Sequence, residues 1–244
     1  MLTICLHYLF LKCIALLCRL YAEIFHRKDL HHDRTLRIAS RDQGRDILVH
    51  VYELSPDPEP SPKPILINLS GSGWVTHDHG TDDEFCHYIR DNTGWTVLDV
   101  KYRIAPEHPY PAAMQDVDDV IQYVDAQREL YKEHHIAISG FGAGANIALS
   151  TAMHSRMILR LYSCYLRGGT NPQDPRVSPA RNITPALFPN LGIIITAERD
   201  TLANEGMEMA RILGDLPRRT IDHCRVTNCG HAWDKSWWGG RSES

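Results

Sequence analysis

The stretch ISGFGAGAN (Ile138–Asn146) decides how this chain is read. It follows a short apolar run and precedes a helical pattern, so it is a strand-to-helix turn crowded with small residues. Its spacing is that of G-x-S-x-G, the turn that presents a nucleophilic serine at the top of a parallel sheet. The middle residue here is Gly142, which has no side chain to attack with. Taken alone the turn is ambiguous, because glycine-rich strand-to-helix turns occur throughout α/β proteins. Its meaning depends on what stands at the ends of the other strands.

Outward from that turn the chain alternates. Hydrophobic patterning predicts strands at Arg34–Ser40, Arg45–Leu54, Ile65–Leu69, Trp95–Val100, His135–Ser139, Leu191–Ala197 and Arg219–Val226. It predicts helices over about Thr81–Arg90, Pro111–Tyr131, from just after Gly142, and Ala203–Leu213. The five prolines of SPDPEPSPKP (Ser55–Pro64) exclude helix and central strand there. Ile65–Leu69 is continuously apolar, as a strand buried on both faces requires. Such alternation implies an α/β fold: a mostly parallel sheet with helices on both faces. No internal repeat is present, so residues 31–244 read as one domain.

In open parallel sheets, chemistry gathers in the loops at the carboxyl ends of strands. Those loops are Ser70-Gly71-Ser72-Gly73-Trp74, Gly140 to Gly144, Glu198-Arg199-Asp200 and Gly230-His231-Ala232. Each alone is unremarkable; an aspartate after a strand is often only a helix cap. Together they stand in the order elbow, acid, histidine, the chain order of α/β-hydrolases, with a small-residue loop ahead of them for an oxyanion hole.

VKYRIAPEHPYPAAMQDVDDVIQYV (Val100–Val124) resembles the signature block of the hormone-sensitive-lipase-like, or arylacetamide-deacetylase-like, α/β-hydrolases. DPRVSPA (Asp174–Ala180) and AERDTLANEG (Ala197–Gly206) resemble the same branch on either side of the acid strand. The resemblance implies a serine esterase acting on carboxylic esters. It implies Asp200 as the acid, His231 as the base, and Ser72, Gly73 and Ala143 as sources of oxyanion N–H groups. It implies no cofactor, and a small apolar ester or related ligand as partner.

Three departures change that expectation. Gly142 occupies the nucleophile position. Ser70 stands where the family has a histidine whose ring pins the oxyanion loop. Ser150–Leu166 runs almost directly into the DPRVSP motif, so one strand after the elbow helix is expected to be missing or altered: either Met157–Ser163 replaces it, or the elbow strand and the acid strand lack their intervening neighbour. The expected protein is a catalytically impaired or inactive esterase relative. The alternatives are a binding module for an apolar ester-like ligand, or a weak hydrolase in which Asp200 and His231 activate water.

Residues 1–30 differ from the rest. Lys12 interrupts MLTICLHYLFLKCIALLCRL, which makes it a poor transmembrane span. Lys12, Arg19, Glu23 and His26 fall on one narrow stripe at helical spacing, predicting an amphipathic helix with a wide apolar face. Such a helix covers an apolar cleft, lies in a membrane interface through residues 2–27, or serves as a signal segment. Localisation depends on which, with cytoplasmic or membrane-associated favoured. With 26 basic and 30 acidic residues, a formal charge of −4 and no long run of one sign, nucleic-acid binding is excluded. Seven cysteines without a C-x-x-C pair argue against a disulfide scaffold. Neither His223, Cys224, Cys229 and His231 nor His77 and His79 have zinc-site spacing, so no metal is expected. Asn182-Ile183-Thr184 is a glycosylation sequon, relevant only to a secreted chain.

Overall fold

The structure is a computed structural model and describes residues 2–25, 31–54, 62–127, 130–154, 188, 190–231 and 233. It divides into two compact units, Met1–Ala148 and Leu149–Ser244.

In the first unit, Lys63–Leu69 (β3) is the strand around which the sheet is organised. Thr96–Val100 (β4) pairs parallel to it on one side and Tyr131–Gly140 (β5) on the other. Asp46–Tyr52 (β2) adds antiparallel to β4, and Arg34–Ala39 (β1) antiparallel to β2, giving the order β1-β2-β4-β3-β5. The sheet is mixed, with its antiparallel part confined to β1 and β2.

Because side chains alternate along a strand, β3 feeds two cores. Ile65, Ile67 and Leu69 face a cluster with Val49, Leu98 and Val100, together with Val117, Val120 and Val124 of the helix Ala112–Ala126 (α3) and Ile147 of the helix Ala143–His154 (α4). Leu66 joins Tyr52, Val97 and Cys86 of the helix Asp83–Thr93 (α2) on the other side. Helices therefore cover both faces, as the alternation predicts. The α/β-hydrolase fold class stands.

Two boundaries differ from the pattern-based expectation. The helix predicted to reach Tyr131 ends at Ala126. Tyr131 opens β5 opposite Lys63 and is buried, so sheet pairing overrides the helical spacing there. Pro64 lies inside β3, where the register shifts between Lys63 and Ile65. A residue without an N–H is tolerated at such an irregularity.

In the second unit, Leu191–Ala197 (β6) and Thr220–Val226 (β7) pair in parallel over their full length. Met209 and Leu213 of the helix Ala203–Gly214 (α5) pack with Ile194, Ile221 and Phe188. The strand expected to be missing or altered after α4, its replacement at Met157–Ser163, the DPRVSPA motif and the sequon all lie outside the described residues.

The amino-terminal segment forms the helix Leu2–Phe25 (α1). No described helix is long and apolar enough to cross a membrane.

Candidate active site

The turn from β5 into α4 is built by backbone contact. A Cβ on Gly144 would stand 2.1 Å from the Leu69 carbonyl oxygen and 2.7 Å from that of Ser70. One on Gly140 would stand 2.5 Å from Gly144 itself. The first and last glycines of the motif are thus demanded by the approach of the turn to the end of β3. Between them Gly142 has φ +50°, the left-handed region where an L side chain is strained. A sharp strand-to-helix turn with a positive φ at its middle residue is what a nucleophile elbow requires. Ala143 opens α4, where the first N–H groups have no intrahelical acceptor and point outward, an arrangement suited to an anion.

The loop after β3 packs beside this turn. The Phe141 N–H donates to the Leu69 carbonyl at 3.1 Å, and a Cβ on Gly71 would stand 3.1 Å from the Phe141 carbonyl oxygen. Tyr102 pins the loop. Its hydroxyl donates to the Ser70 carbonyl at 2.6 Å and accepts from Ser72 Oγ at 2.8 Å, while Ser72 Oγ accepts from the Trp74 N–H at 3.0 Å. Burial pushes the Tyr102 hydroxyl above its ordinary range and keeps it a donor. Ser70 does not replace the ring of the family's histidine, but this phenol holds the loop from the other side of its hydrogen-bond chain. The same chain of hydrogen bonds engages Ser72, which is buried. Ser139 Oγ is likewise engaged, donating to Asn68 at 2.8 Å.

The acid and the histidine sit together in the second unit. The N–H of Glu198 donates to the Val226 carbonyl and that of Arg199 to the Cys229 carbonyl, both at 2.9 Å, tying the loop after β6 to the loop after β7. His231 Nδ1 then lies 2.7 Å from Asp200 Oδ2. An ionised carboxylate only accepts, so Nδ1 carries the proton and Nε2 is left with its lone pair. Asp200 Oδ1 accepts the Leu202 N–H at 2.8 Å. Burial raises the Asp200 carboxyl, but the Leu202 N–H and His231 outweigh it and hold it below its ordinary value. The pair is an ionised acid orienting an exposed imidazole, competent to accept a proton.

The Tyr-Arg-x-Ala-Pro block has a structural role that its resemblance alone did not disclose. Arg103 Nε contacts both oxygens of the fully buried Asp116, at 3.0 and 3.1 Å, and its N–H donates to Asp116 at 3.0 Å. Its remaining guanidinium nitrogens reach Asp42 and the Ala112 carbonyl. Arg45 pairs with the same Asp116. The block fastens the start of α3 under the Tyr102 pin.

A second buried polar group was also missed. His50 on β2, His79 and Asp99 on β4 place potential ligand atoms within 4.8 Å of one another, and His32 stacks on His50 at 3.8 Å between ring centroids. His79 Nε2, however, is used by the Asp99 carbonyl at 3.0 Å, and the Asp99 carboxylate accepts from Asn68 and the Gly80 N–H. His79 and Asp99 are thus engaged with their neighbours, whereas Nδ1 of His50 and Nδ1 of His32 are buried without a hydrogen-bond partner. A histidine, an asparagine and an aspartate in otherwise apolar strands were the available signal. Of the cysteine- and histidine-rich carboxyl-terminal stretch, His223 bonds Thr196 and Cys229 bonds the Val226 carbonyl.

Comparison with known proteins bears on the fold and the family. Residues 66–158 match a family model described as alpha/beta hydrolase fold, a span that takes in the end of β3, the Tyr102 block and the Gly140–Gly144 turn. The chain is 31% identical to Lipase 2 of a Moraxella species over 120 residues, covering 47% of this chain and 28% of that protein. It is 30% identical to Esterase LipI of Mycobacterium tuberculosis over 133 residues, covering 53% and 42%. The chain thus matches less than half the length of these relatives. Among solved structures, an esterase of Pyrobaculum calidifontis superposes with a TM-score of 0.69 over 90% of this chain and 81% of that one, at 23% identity. A bacterial heroin esterase gives 0.70 over 84% and 78%, at 22% identity. At these identities the structural likeness speaks for the fold.

Proposed function

Because this chain belongs to the hormone-sensitive-lipase-like α/β-hydrolases, a family related to carboxylic ester hydrolases, we propose that it is a member without covalent esterase catalysis. The observation that carries this reading is Gly142, at φ +50° between two sterically required glycines, where the family presents its serine. The turn tolerates glycine better than any other residue, so the loss of the nucleophile leaves the elbow intact. In a well-studied serine protease, removal of the serine costs on the order of 10⁶ in turnover. In this reading the site holds a small apolar ester or related ligand without turning it over, the N–H groups of Ser72, Gly73 and Ala143 serving its carbonyl.

Two experiments test this. A serine-directed fluorophosphonate leaves the protein unlabelled; stoichiometric labelling refutes the reading. Gly142→Ser is expected to restore hydrolysis of short p-nitrophenyl esters if the elbow, Asp200 and His231 act as one site. A restored protein that remains silent shows that more than the nucleophile is lacking.

A second reading is favoured by the 2.7 Å contact between His231 and Asp200. An oriented imidazole with a free Nε2 can deprotonate water for direct attack, without a covalent intermediate. This predicts slow ester hydrolysis that His231→Ala abolishes. Hydrolysis unchanged by that substitution eliminates it.

A further inference from the structure

Helix α1 is mounted inside out. The stripe that meets the body of the protein carries its charges: Arg19 Nε donates to the Val75 carbonyl at 2.8 Å, and its Nη2 donates to the Ala105 carbonyl at 3.0 Å and to Glu107 at 2.6 Å. Lys12 approaches the same Glu107 at 3.9 Å. Among the described side chains of the helix, only Ala15 and Ala22, each 2% exposed, are buried. The large side chains turn the other way. Leu9, Phe10, Leu16, Leu20, Leu17 and Ile24 are all more than half exposed, the last two at 66% and 69%. With Tyr21, Ile14 and Phe25, which are exposed as well, this apolar surface covers roughly half the helix circumference at about 100° per residue.

We infer that α1 is an interfacial helix that seats the protein on a phospholipid surface, lying in the plane of the interface. Monomeric soluble proteins rarely expose an apolar patch of this extent. The choice of a lipid over a second copy follows from the width of the face. A helix pair covers a narrow seam and would leave both flanks of a half-circumference face in water. A lipid surface accepts the whole convex arc. The polar stripe, which would ordinarily face water on an interfacial helix, is here spent on the clamp to Val75, Ala105 and Glu107. The clamp places the protein body on the helix's polar side. The inference is independent of whether the site described above turns over a ligand or only holds one.

The full chain tests it by sedimentation with sucrose-loaded vesicles of phosphatidylcholine, alone and with one quarter phosphatidylglycerol. Light scattering reports the oligomeric state in parallel. The wild-type chain is expected to sediment with both vesicle types. The double variant Leu17→Glu, Ile24→Glu is expected to lose at least about tenfold in partitioning, since each change removes apolar insertion and adds a charge. Both positions are exposed, so an unchanged unfolding midpoint verifies that the variant is folded. A wild-type chain that stays in the supernatant overturns the inference. So does a variant that binds as well as wild type. Binding confined to anionic vesicles and abolished by salt overturns it too, as attraction without insertion. A dimer that the double variant dissolves, with no vesicle binding by either protein, identifies a second copy as the occupant instead.

Discussion

Gly142 and Gly144 are both glycine for backbone reasons, but the reasons differ and so do the expected costs of change. At Gly142 the constraint is the dihedral alone. Gly142→Ala should destabilise by about 1–2 kcal/mol, the penalty for a side chain in the left-handed region. At Gly144 the constraint is the Leu69 carbonyl, 2.1 Å from where a Cβ would stand. Gly144→Ala has to push the elbow away from β3, which should cost at least about 3 kcal/mol. Urea unfolding of the two variants separates strain from collision; equal losses would show that the turn adjusts freely. The G-x-x-x-G spacing and its place after a strand were legible in sequence. The reason each glycine is needed was not, because the oxygen that Gly144 must clear lies seventy-five residues earlier in the chain.

Among the elements, the loop–helix block around α3 depends on one buried carboxylate. Asp116→Ala leaves Arg103 and Arg45 facing each other without their shared anion. Breaking a buried pair from one side typically costs about 3–5 kcal/mol. A loss below about 1 kcal/mol in chemical unfolding would mean that Asp42 takes over as the anchor. The docking of α1 is a separate matter with its own pH window. The hydrogen bond from Arg19, against a smaller effect of burial, holds the Glu107 carboxyl at about 2, below the ordinary 4.5. A carboxyl lowered in the docked state stabilises that state fully above 4.5 and loses the contribution as the pH falls toward 2. Protection factors for amide exchange in α1 should therefore fall over that range, and in Glu107→Gln they should be low already near neutrality. Unchanged protection would show that Ala15 and Ala22 suffice to hold the helix.

For the molecule as a whole, the buried histidine group sets a limit on acid stability. Burial, together with repulsion from His79, His32 and Lys101, keeps His50 neutral, with a value of about 3 in place of 6.5. A histidine lowered on folding is protonated first in the unfolded chain, so acidification from 6.5 toward 3 favours unfolding. His50→Phe should flatten that dependence, visible as a midpoint several degrees higher than wild type near pH 4.5 and a smaller difference near neutrality. Parallel pH profiles for the two proteins would assign the acid sensitivity to other groups.

The order of the described elements and the small-residue loops after β3 and β5 could be read directly from the chain, because periodicity and turn chemistry act over a few residues. The helix of residues 2–25 and its two-faced character were legible in the same way. Which face turned inward was not: a wide apolar stripe ordinarily buries itself, and only a fixed anion at Glu107 with two carbonyls 56 and 86 residues away draws Arg19 inward instead. Tyr102 as the pin of the loop after β3, and the network of His50, His79 and Asp99, depend in the same way on groups brought together by sheet pairing. Local sequence determined what each segment is; long-range hydrogen bonding and charge pairing decided what each one faces.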